Sequence, residues 1–361
     1  NAAEHMKNMP RPEGETVMIV SEGVKPIRHH SQGKDFFEDF YFLKRGDVNQ
    51  KMGKASQGFL QVLMPEEDSI ELWQEVPPTG SMTSFRRTAL ANWMVDTEAG
   101  AGQLLARVIV NRLWHHHFGR GIVSSTNDFG IQGQPPTHPG LLDWLALELI
   151  GSDWSLKHIH SLILSSYTYQ QSSASHEANA LADPENAFFW RFSPRRLEAE
   201  AIRDSILQAT GQLDKTMFGK GTLDESMRRR SIYFTVKRSK LVPMLQVFDV
   251  PEPLVSQGQR PTTTVAPQAL LLLNNPHLRK CCEDSAAQLI ANNMADHAMI
   301  DLFYQRSLSR NPNKSEVQKA SGFLASQTAS YKQSGVTDAK IQATADLIQL
   351  MLCLNEFCYI Y

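Results

Sequence analysis

Apolar residues recur three and four positions apart over much of this chain, which is the spacing of amphipathic α-helices. Leu142, Leu145 and Leu149 form one such stripe, which Pro139 opens and Gly151 closes. The same spacing predicts further helices over 102–118, 194–210, 277–293, 296–308, 314–332 and 338–356. The pattern as a whole therefore predicts a mainly α fold.

Two shorter patterns predict β-structure. Apolar stretches at 17–20, 36–43 and 57–64, with a turn at 44–47, indicate a small N-terminal β unit. Residues 231–237 alternate in polarity and predict a short β-hairpin inserted into the helical part. We therefore expect a multi-helix domain at 85–361, preceded by a small β-containing unit and connector at 17–84 and by a linker or arm at 1–16.

Polar side chains interrupt an otherwise apolar helix between 108 and 118, where the sequence reads VIVNRLWHHHF. Buried polar groups need hydrogen-bond partners, and the irregular loop at 121–138 can supply them. Asn111, Arg112 and His115 therefore form either a binding site or a scaffold that pins the loop. In the scaffold hypothesis, Arg112 and His116 hydrogen-bond loop carbonyls and Asp128.

Three adjacent histidines suggest a metal site, but helical geometry argues against one built on the run itself. Successive side chains of a helix lie about 100° apart, so His115 and His117 point roughly 160° from each other and cannot share an ion. We predict no metal here. The alternative is a metal site in which one histidine of the run binds the ion together with His138, Asp128 or His160.

A basic tract provides a second candidate site. Arginine and hydroxyl groups suit sulfate, phosphate or carboxylate, and three threonines at 262–264 follow the cations. The candidate binding residues of this tract are Arg230, Lys237, Arg238 and Arg260. The alternative is a solvated surface, or ion pairs with Asp249 and Glu252.

Composition and charge exclude several function classes. The 361 residues are 42% hydrophobic and 20% charged, with a net charge of −2, so any basic site must be local and nucleic acid is not an expected partner. No apolar run is long enough for a membrane span. The four cysteines form no Cys-x-x-Cys, and we expect core thiols or a disulfide between the 281–282 and 353–358 regions. Motifs for a nucleophilic serine, a dinucleotide or a phosphate loop are also missing from the sequence.

The sequence contains a set of separated motifs: RR…LANW at 86–93, RV…NRLW…FGRG at 107–121, NDFG at 127–130, PPTHP…LDWL at 135–145, WSLK at 154–157, RRL…EAIRD at 195–204, RP…T…QAL at 260–270 and NEF at 355–357. This set resembles the C-terminal domain of unknown function, the PSD-type domain, of the planctomycete-type cytochrome-c-domain proteins. The resemblance covers the chain from about residue 85 to its end.

The resemblance implies a compartment and partners more than a chemistry. It implies an exported protein, periplasmic or at the cell surface, in bacteria that degrade complex, often sulfated, polysaccharides. It also implies association with haem-bearing and other family domains, in the same precursor or as separate chains. We expect no cofactor in this chain itself, since it lacks the haem-attachment motif.

Three functional hypotheses follow from these observations. The first is a non-haem module of an exported, cytochrome-associated assembly, which binds a partner domain or an anionic, sulfated glycan. The second is a hydrolase of polysaccharide or sulfate ester, with Asp128 and either His116 or His138 as acid and base. The third is a metal-binding protein.

Overall fold

In a computed structural model, the described residues are 40–65, 69–81 and 83–361. The predicted strand at 17–20 and the predicted arm at 1–16 lie outside them. The mainly α prediction is confirmed, because helices dominate and the described β-structure consists of two small antiparallel pairs. The described residues divide into two compact units, one that ends at residue 165 and one that spans 166–361. The predicted boundary at 84/85 stays a prediction.

A β-hairpin opens the described part of the first unit. Strand β1 (Tyr41–Leu43) pairs antiparallel with β2 (Lys51–Lys54). The predicted turn at 44–47 is confirmed, and its Arg45 and Gly46 are left-handed at φ 53° and 78°.

The second strand of this unit was predicted in the wrong place. Residues Gln61–Leu63 form a 3₁₀ turn instead. Phe59 stacks on Trp93 at 5.1 Å between ring centroids, so this apolar stretch packs into an aromatic cluster with Trp73. Burial of Phe59 against two tryptophans therefore replaces strand pairing.

Four α-helices build the rest of the described part of the first unit: α1 (Arg86–Val95), α2 (Gly102–Phe118), α3 (Pro139–Gly151) and α4 (Leu156–Ser165). Helix α2 is central, because it packs against each of the other three. Its Ala106 and Val110 are fully buried, as are Leu149 of α3 and Ile159 of α4. The predicted bounds of α2 and α3 are confirmed.

The regular secondary structure of the second unit is mostly helical. Its helices are α5 (Glu177–Ala182), α6 (Ala199–Ala209), α7 (Pro243–Val247), α8 (Ala266–Asn274), α9 (Pro276–Ala291), α10 (Asp296–Leu308), α11 (Lys314–Gln333), α12 (Ala339–Leu352) and α13 (Asn355–Cys358). Strands β3 (Arg195–Arg196) and β4 (Tyr359–Ile360) pair antiparallel. Helix α12 packs against both α9 and α11 and carries much of the core.

The structure does not contain the hairpin predicted near 231–237. Ser231–Tyr233 form a 3₁₀ turn, and two isolated bridges, Thr222 with Phe234 and Lys237 with Lys240, take the place of a ladder. The reason is tertiary: the backbone N–H and hydroxyl of Ser231 both donate to Asp204 Oδ1, at 2.8 and 2.7 Å. Such bonds override a strand-like sequence pattern.

A buried arginine fixes this turn from the other side. Arg203 of α6 is 5% exposed and donates to Ser231 Oγ at 3.2 Å, to Arg229 O at 3.0 Å and to Met227 O. Burial lowers the pKa of its guanidinium from the ordinary value. Two carbonyl groups and one hydroxyl around one cation thus tie α6 to the 227–231 segment.

All four cysteines are free thiols, and Cys281, Cys282 and Cys358 are buried. These residues are therefore thiols in or beside the core, and the alternative, a disulfide between the 281–282 and 353–358 regions, is not present in this structure. Among the described residues, no helix has the length and apolar character needed to cross a bilayer.

Candidate functional site: the cleft of the 121–138 loop

The 121–138 loop is anchored to α2 by one asparagine. Asn111, fully buried, donates from Nδ2 to Val123 O at 3.0 Å and accepts from Val123 N at Oδ1, 2.8 Å away. Gly121 lets the chain pass this close, because a Cβ there would lie 2.8 Å from Asn111 Nδ2 and 2.5 Å from Val123 O. The loop therefore leaves the helix end along a fixed path.

The loop then closes on itself as a compact Ω-type unit. The N–H of Thr137 donates to Ile122 O at 3.0 Å, which joins its two ends. Ser125 Oγ donates to Asp128 O at 2.7 Å and accepts from Gln134 N at 2.8 Å. Ile122 and Val123 at the start of the loop are buried, so the loop is a compact platform fixed to the unit at this end.

A cleft of about 540 Å³ lies between this platform and helices α2 and α3. Its walls are mostly apolar, and its charged side chains are Arg107 and Asp143, whose Nε and Oδ1 atoms are 2.8 Å apart. The remaining lining residues are Leu104, Val123, Phe129, Gly130, Ile131, Gly133, Gln134, Pro135, Pro136, Pro139 and Leu142. The size suits a small ligand, since ligand sites measure about 300–1,000 Å³.

A second cleft of about 390 Å³ shares Leu104, Phe129 and Gly130 with the first and extends toward Arg112. Arg112 is exposed and makes no hydrogen bond or ion pair with any residue that the structure describes. Asn127 and Thr126 complete this wall. Together the two clefts form a groove, with Phe129 at its centre and an uncommitted guanidinium at one end.

The scaffold hypothesis named Arg112 as an anchor of the loop, and this part of it is wrong. Asn111 pins the loop, whereas Arg112 faces the groove. His115 is half-buried and His116 is exposed on the same helix. The structure thus brings Asn111 and Arg112 to the loop in two different roles, one structural and one accessible to a ligand.

The candidate acid–base residues lie in and beside the loop. Asp128 is half-buried, and its Oδ1 accepts from Gly130 N at 2.8 Å. His138 Nδ1 lies 3.0 Å from Thr137 Oγ1, just before α3 begins. The carboxylate therefore serves the turn of its own loop, which is a shape-forming role.

A histidine pair joins α2 and α4. His117 Nε2 and His160 Nδ1 are 2.8 Å apart, so one ring donates a hydrogen bond to the other. His160 was the partner named in the alternative metal hypothesis, but in the described part of the chain no group of three His, Cys, Asp or Glu residues could hold an ion. The geometry is that of an inter-helix hydrogen bond.

The basic tract belongs to the second unit, and most of its arginines are engaged within that unit. Arg260 Nη1 lies 2.7 Å from Glu200 Oε2 and 3.3 Å from Glu198 Oε2. Arg230 lies 3.9 Å from Asp204 and is exposed. Asp249 pairs with Arg196 instead, at 2.6 Å. Lys237 and Arg238 are exposed and have no acidic partner in the described ranges.

Sequence reasoning did not find Phe129, Arg107 and Asp143 as lining residues of the groove. A signal for Arg107 was present, because Leu104, Arg107, Val108 and Arg112 follow the three-and-four spacing of one helical face. Nothing in the sequence places Asp143 of α3 beside them. That contact depends on how two helices pack.

One comparison with known proteins gives a match. A family model described as PSD1, a protein of unknown function (DUF1553), matches residues 86–324, which is more than half of the chain. The match begins where α1 begins. No curated protein and no solved structure matches this chain.

Proposed function

Since this chain belongs to the DUF1553 family, whose function is unknown, we propose from its own residues that it is a binding module for an anionic glycan. The bound segment lies in the groove of the 121–138 loop, and Arg112 meets a sulfate or carboxylate of the glycan. One observation carries the proposal: an exposed, uncommitted guanidinium stands at the end of a mostly apolar groove that a rigid loop holds open.

The shape and lining of the groove support a saccharide as the ligand. An aromatic ring, Phe129, offers an apolar surface on which the C–H face of a sugar can lie. Asn127 and Gln134 provide amide donors and acceptors for hydroxyl groups. Because Asn111 and Gly121 fix the loop before any ligand arrives, binding costs little ordering entropy.

Charge supports an anionic ligand over a neutral one. Arg107 is balanced by Asp143, so the pair adds no net charge to the groove. Arg112 therefore leaves the groove with a local positive charge in a protein whose net charge is −2. Guanidinium groups bind sulfate and carboxylate through two parallel hydrogen bonds, which makes Arg112 the group that selects the anion.

The wider setting of this module is part of the same proposal. We propose that it belongs to an exported assembly, periplasmic or at the cell surface, beside haem-bearing domains of the same precursor or of separate chains. The support is the resemblance of the motifs to the planctomycete-type cytochrome-c-domain proteins. In this proposal, the chain binds a partner domain of the assembly in addition to the glycan.

The hydrolase hypothesis has less support from the site. Its carboxylate, Asp128, is held by Gly130 N–H within the loop, and His138 Nδ1 is directed to Thr137 Oγ1. An acid–base pair needs both groups within reach of one substrate atom. The hydrogen bonds of Asp128 and His138 serve local turns, so a binding role is the better-supported proposal.

Calorimetric titration with a sulfated oligosaccharide and its desulfated form tests the proposal. The expected result is measurable binding of the sulfated form and at least tenfold weaker binding of the desulfated form. Arg112→Ala should weaken binding of the sulfated form about ten- to a hundredfold, since a charge-assisted hydrogen bond contributes about 1.5–3 kcal/mol. Arg112→Lys should retain part of the affinity, because it keeps the charge and loses the fork.

Lys157→Ala is the matched control, because Lys157 is an exposed cation of α4 and is not part of the groove. Its affinity should equal that of the unmodified chain. Equal losses for Arg112→Ala and Lys157→Ala would contradict the proposal, as would equal affinity for sulfated and desulfated ligands.

A further inference from the structure

Two segments of the second unit, 214–222 and 229–240, form one exposed lobe. Thr222 N donates to Tyr233 O at 3.1 Å, and Thr235 N donates to Thr222 O at 2.8 Å, so the segments run side by side. The lobe shares no residue with the groove of the first unit, so its role is independent of the proposed glycan site.

The lobe carries a concentration of positive charge. Its two segments contain seven Lys or Arg and one acidic residue, Asp214, in a chain whose net charge is −2. Five of these cations are exposed and have no carboxylate partner in the described residues: Lys215, Lys220, Lys237, Arg238 and Lys240. The charge is therefore available to an anionic surface.

Large apolar side chains project from the same lobe. Met217 and Phe218 are 64% and 61% exposed, and they lie between Lys215 and Lys220 in the sequence. Ile232 and Val236 on the neighbouring segment are each 74% exposed. Apolar side chains flanked by lysines are typical of protein segments that enter the interface of a bilayer.

The backbone conformation at Phe218 keeps its side chain exposed. Phe218 and Gly219 are both left-handed, at φ 65° and 80°, and this conformation is costly for a phenylalanine. Phe218 N donates to the hydroxyl of Tyr233 at 2.8 Å. Arg229 lies over the Tyr233 ring at 3.7 Å and donates to the carbonyls of Thr216 and Phe218. These contacts hold the tip rigid and hold the phenyl ring outward.

We propose that this lobe docks on the surface of an anionic lipid bilayer. Met217 and Phe218 enter the interface, and the five exposed cations lie at the level of the phosphate groups. Burial of the two apolar side chains supplies attraction that a soluble polyanion cannot, because a glycan or a nucleic acid backbone offers no comparable apolar phase. The combination of charge and apolar tip therefore favours lipid over a soluble polyanion.

Co-sedimentation of the full chain with vesicles tests this proposal. The probes are vesicles of phosphatidylcholine alone and of phosphatidylcholine mixed with phosphatidylglycerol. We expect strong partitioning only to the anionic vesicles and a steep loss with added salt. The double variant Lys237→Glu/Arg238→Glu should lower the partition coefficient by at least about tenfold, and Phe218→Ser by about tenfold.

Matched controls separate the lobe from general effects. Phe188→Ser removes a phenylalanine of the same unit that is 63% exposed, and Lys319→Glu/Lys332→Glu makes the same charge change on α11. Both should partition like the unmodified chain. Tryptophan emission of a Phe218→Trp variant should shift to the blue with anionic vesicles, whereas that of Phe188→Trp should not.

Any one of three outcomes would overturn the proposal that the lobe docks on a bilayer. Partitioning that is unchanged by Phe218→Ser would mean that the apolar tip does not enter the bilayer. Binding to sulfated dextran or to nucleic acid through the lobe, without binding to vesicles, would assign it to a soluble polyanion. Failure to bind the anionic vesicles at low salt would remove any membrane role.

Discussion

Replacement of Asn111 by alanine is the sharpest test of how the groove is built. The variant removes both hydrogen bonds to Val123, which the side chain makes at 3.0 and 2.8 Å. Val123 is 2% exposed, so water cannot replace those bonds. One buried donor and one buried acceptor are left without partners. We therefore expect Asn111→Ala to lower the free energy of unfolding many times more than the same replacement of a surface asparagine.

The magnitude follows from those two groups. A buried polar group that loses its partner costs about 1–3 kcal/mol, so Asn111→Ala should lower the free energy of unfolding of the first unit by about 2–6 kcal/mol. That is a large share of an ordinary domain stability of about 5–15 kcal/mol. Asn111→Asp keeps the acceptor for Val123 N but turns a second carboxylate oxygen toward Val123 O, so it should also destabilise at neutral pH.

Urea denaturation and hydrogen exchange measure the effect. Exchange of the Val123 amide and of the 121–138 segment should accelerate strongly in Asn111→Ala. Asn127→Ala, an exposed asparagine of the same loop, should change stability by less than about 0.5 kcal/mol. If Asn111→Ala changes stability as little as Asn127→Ala does, the loop is not anchored in this way.

Three further predictions concern the second unit. Arg203→Met should lower the free energy of unfolding by about 3–5 kcal/mol in urea, because it leaves buried acceptors without their cation; an unchanged midpoint would refute this. The Arg310 guanidinium lowers the pKa of Glu316 from 4.5 to about 2, so the ion pair stabilises the fold above pH 4.5 and this stabilisation is lost as the pH falls toward 2. In Arg310→Met, the free energy of unfolding measured in urea should therefore depend less on pH between 4.5 and 2. Burial raises the pKa of the Cys281 and Cys282 thiols, so a disulfide reagent should label them only on unfolding, and rapid labelling of the native chain would contradict that.

The helices of this fold were predictable where the sequence has both an apolar stripe at helical spacing and a residue, such as glycine, that typically ends a helix. The predicted helix at 102–118 has the observed bounds of α2, and its end at Gly119, left-handed at φ 78°, follows from local chemistry. The helix predicted at 194–210 begins later, at Ala199. Arg195–Arg196 pair with Tyr359–Ile360 more than 160 residues away, and no local pattern reports such a partner.

The candidate site was predictable only in part. That polar residues of α2 meet the 121–138 loop followed from burial and the need for partners, and the Asn111 contacts to Val123 agree with it. Which residue anchors and which faces the groove did not follow, because this depends on the rotation of α2 within the unit. In the same way, alternation at 231–237 predicts a strand only if no tertiary hydrogen bond competes, and the bonds from Ser231 to Asp204 do compete.

Mapping of the bound ligand on the full chain tests the central claim most directly. Hydrogen-exchange mass spectrometry with and without a sulfated oligosaccharide should show protection confined to residues 121–138 and to the face of α2 from Leu104 to Arg112. Protection should disappear in Arg112→Ala and persist in Lys157→Ala. Protection of the lobe at 214–222 and 229–240 alone, or of no part of the 121–138 loop, would contradict the assignment of the groove as the glycan site.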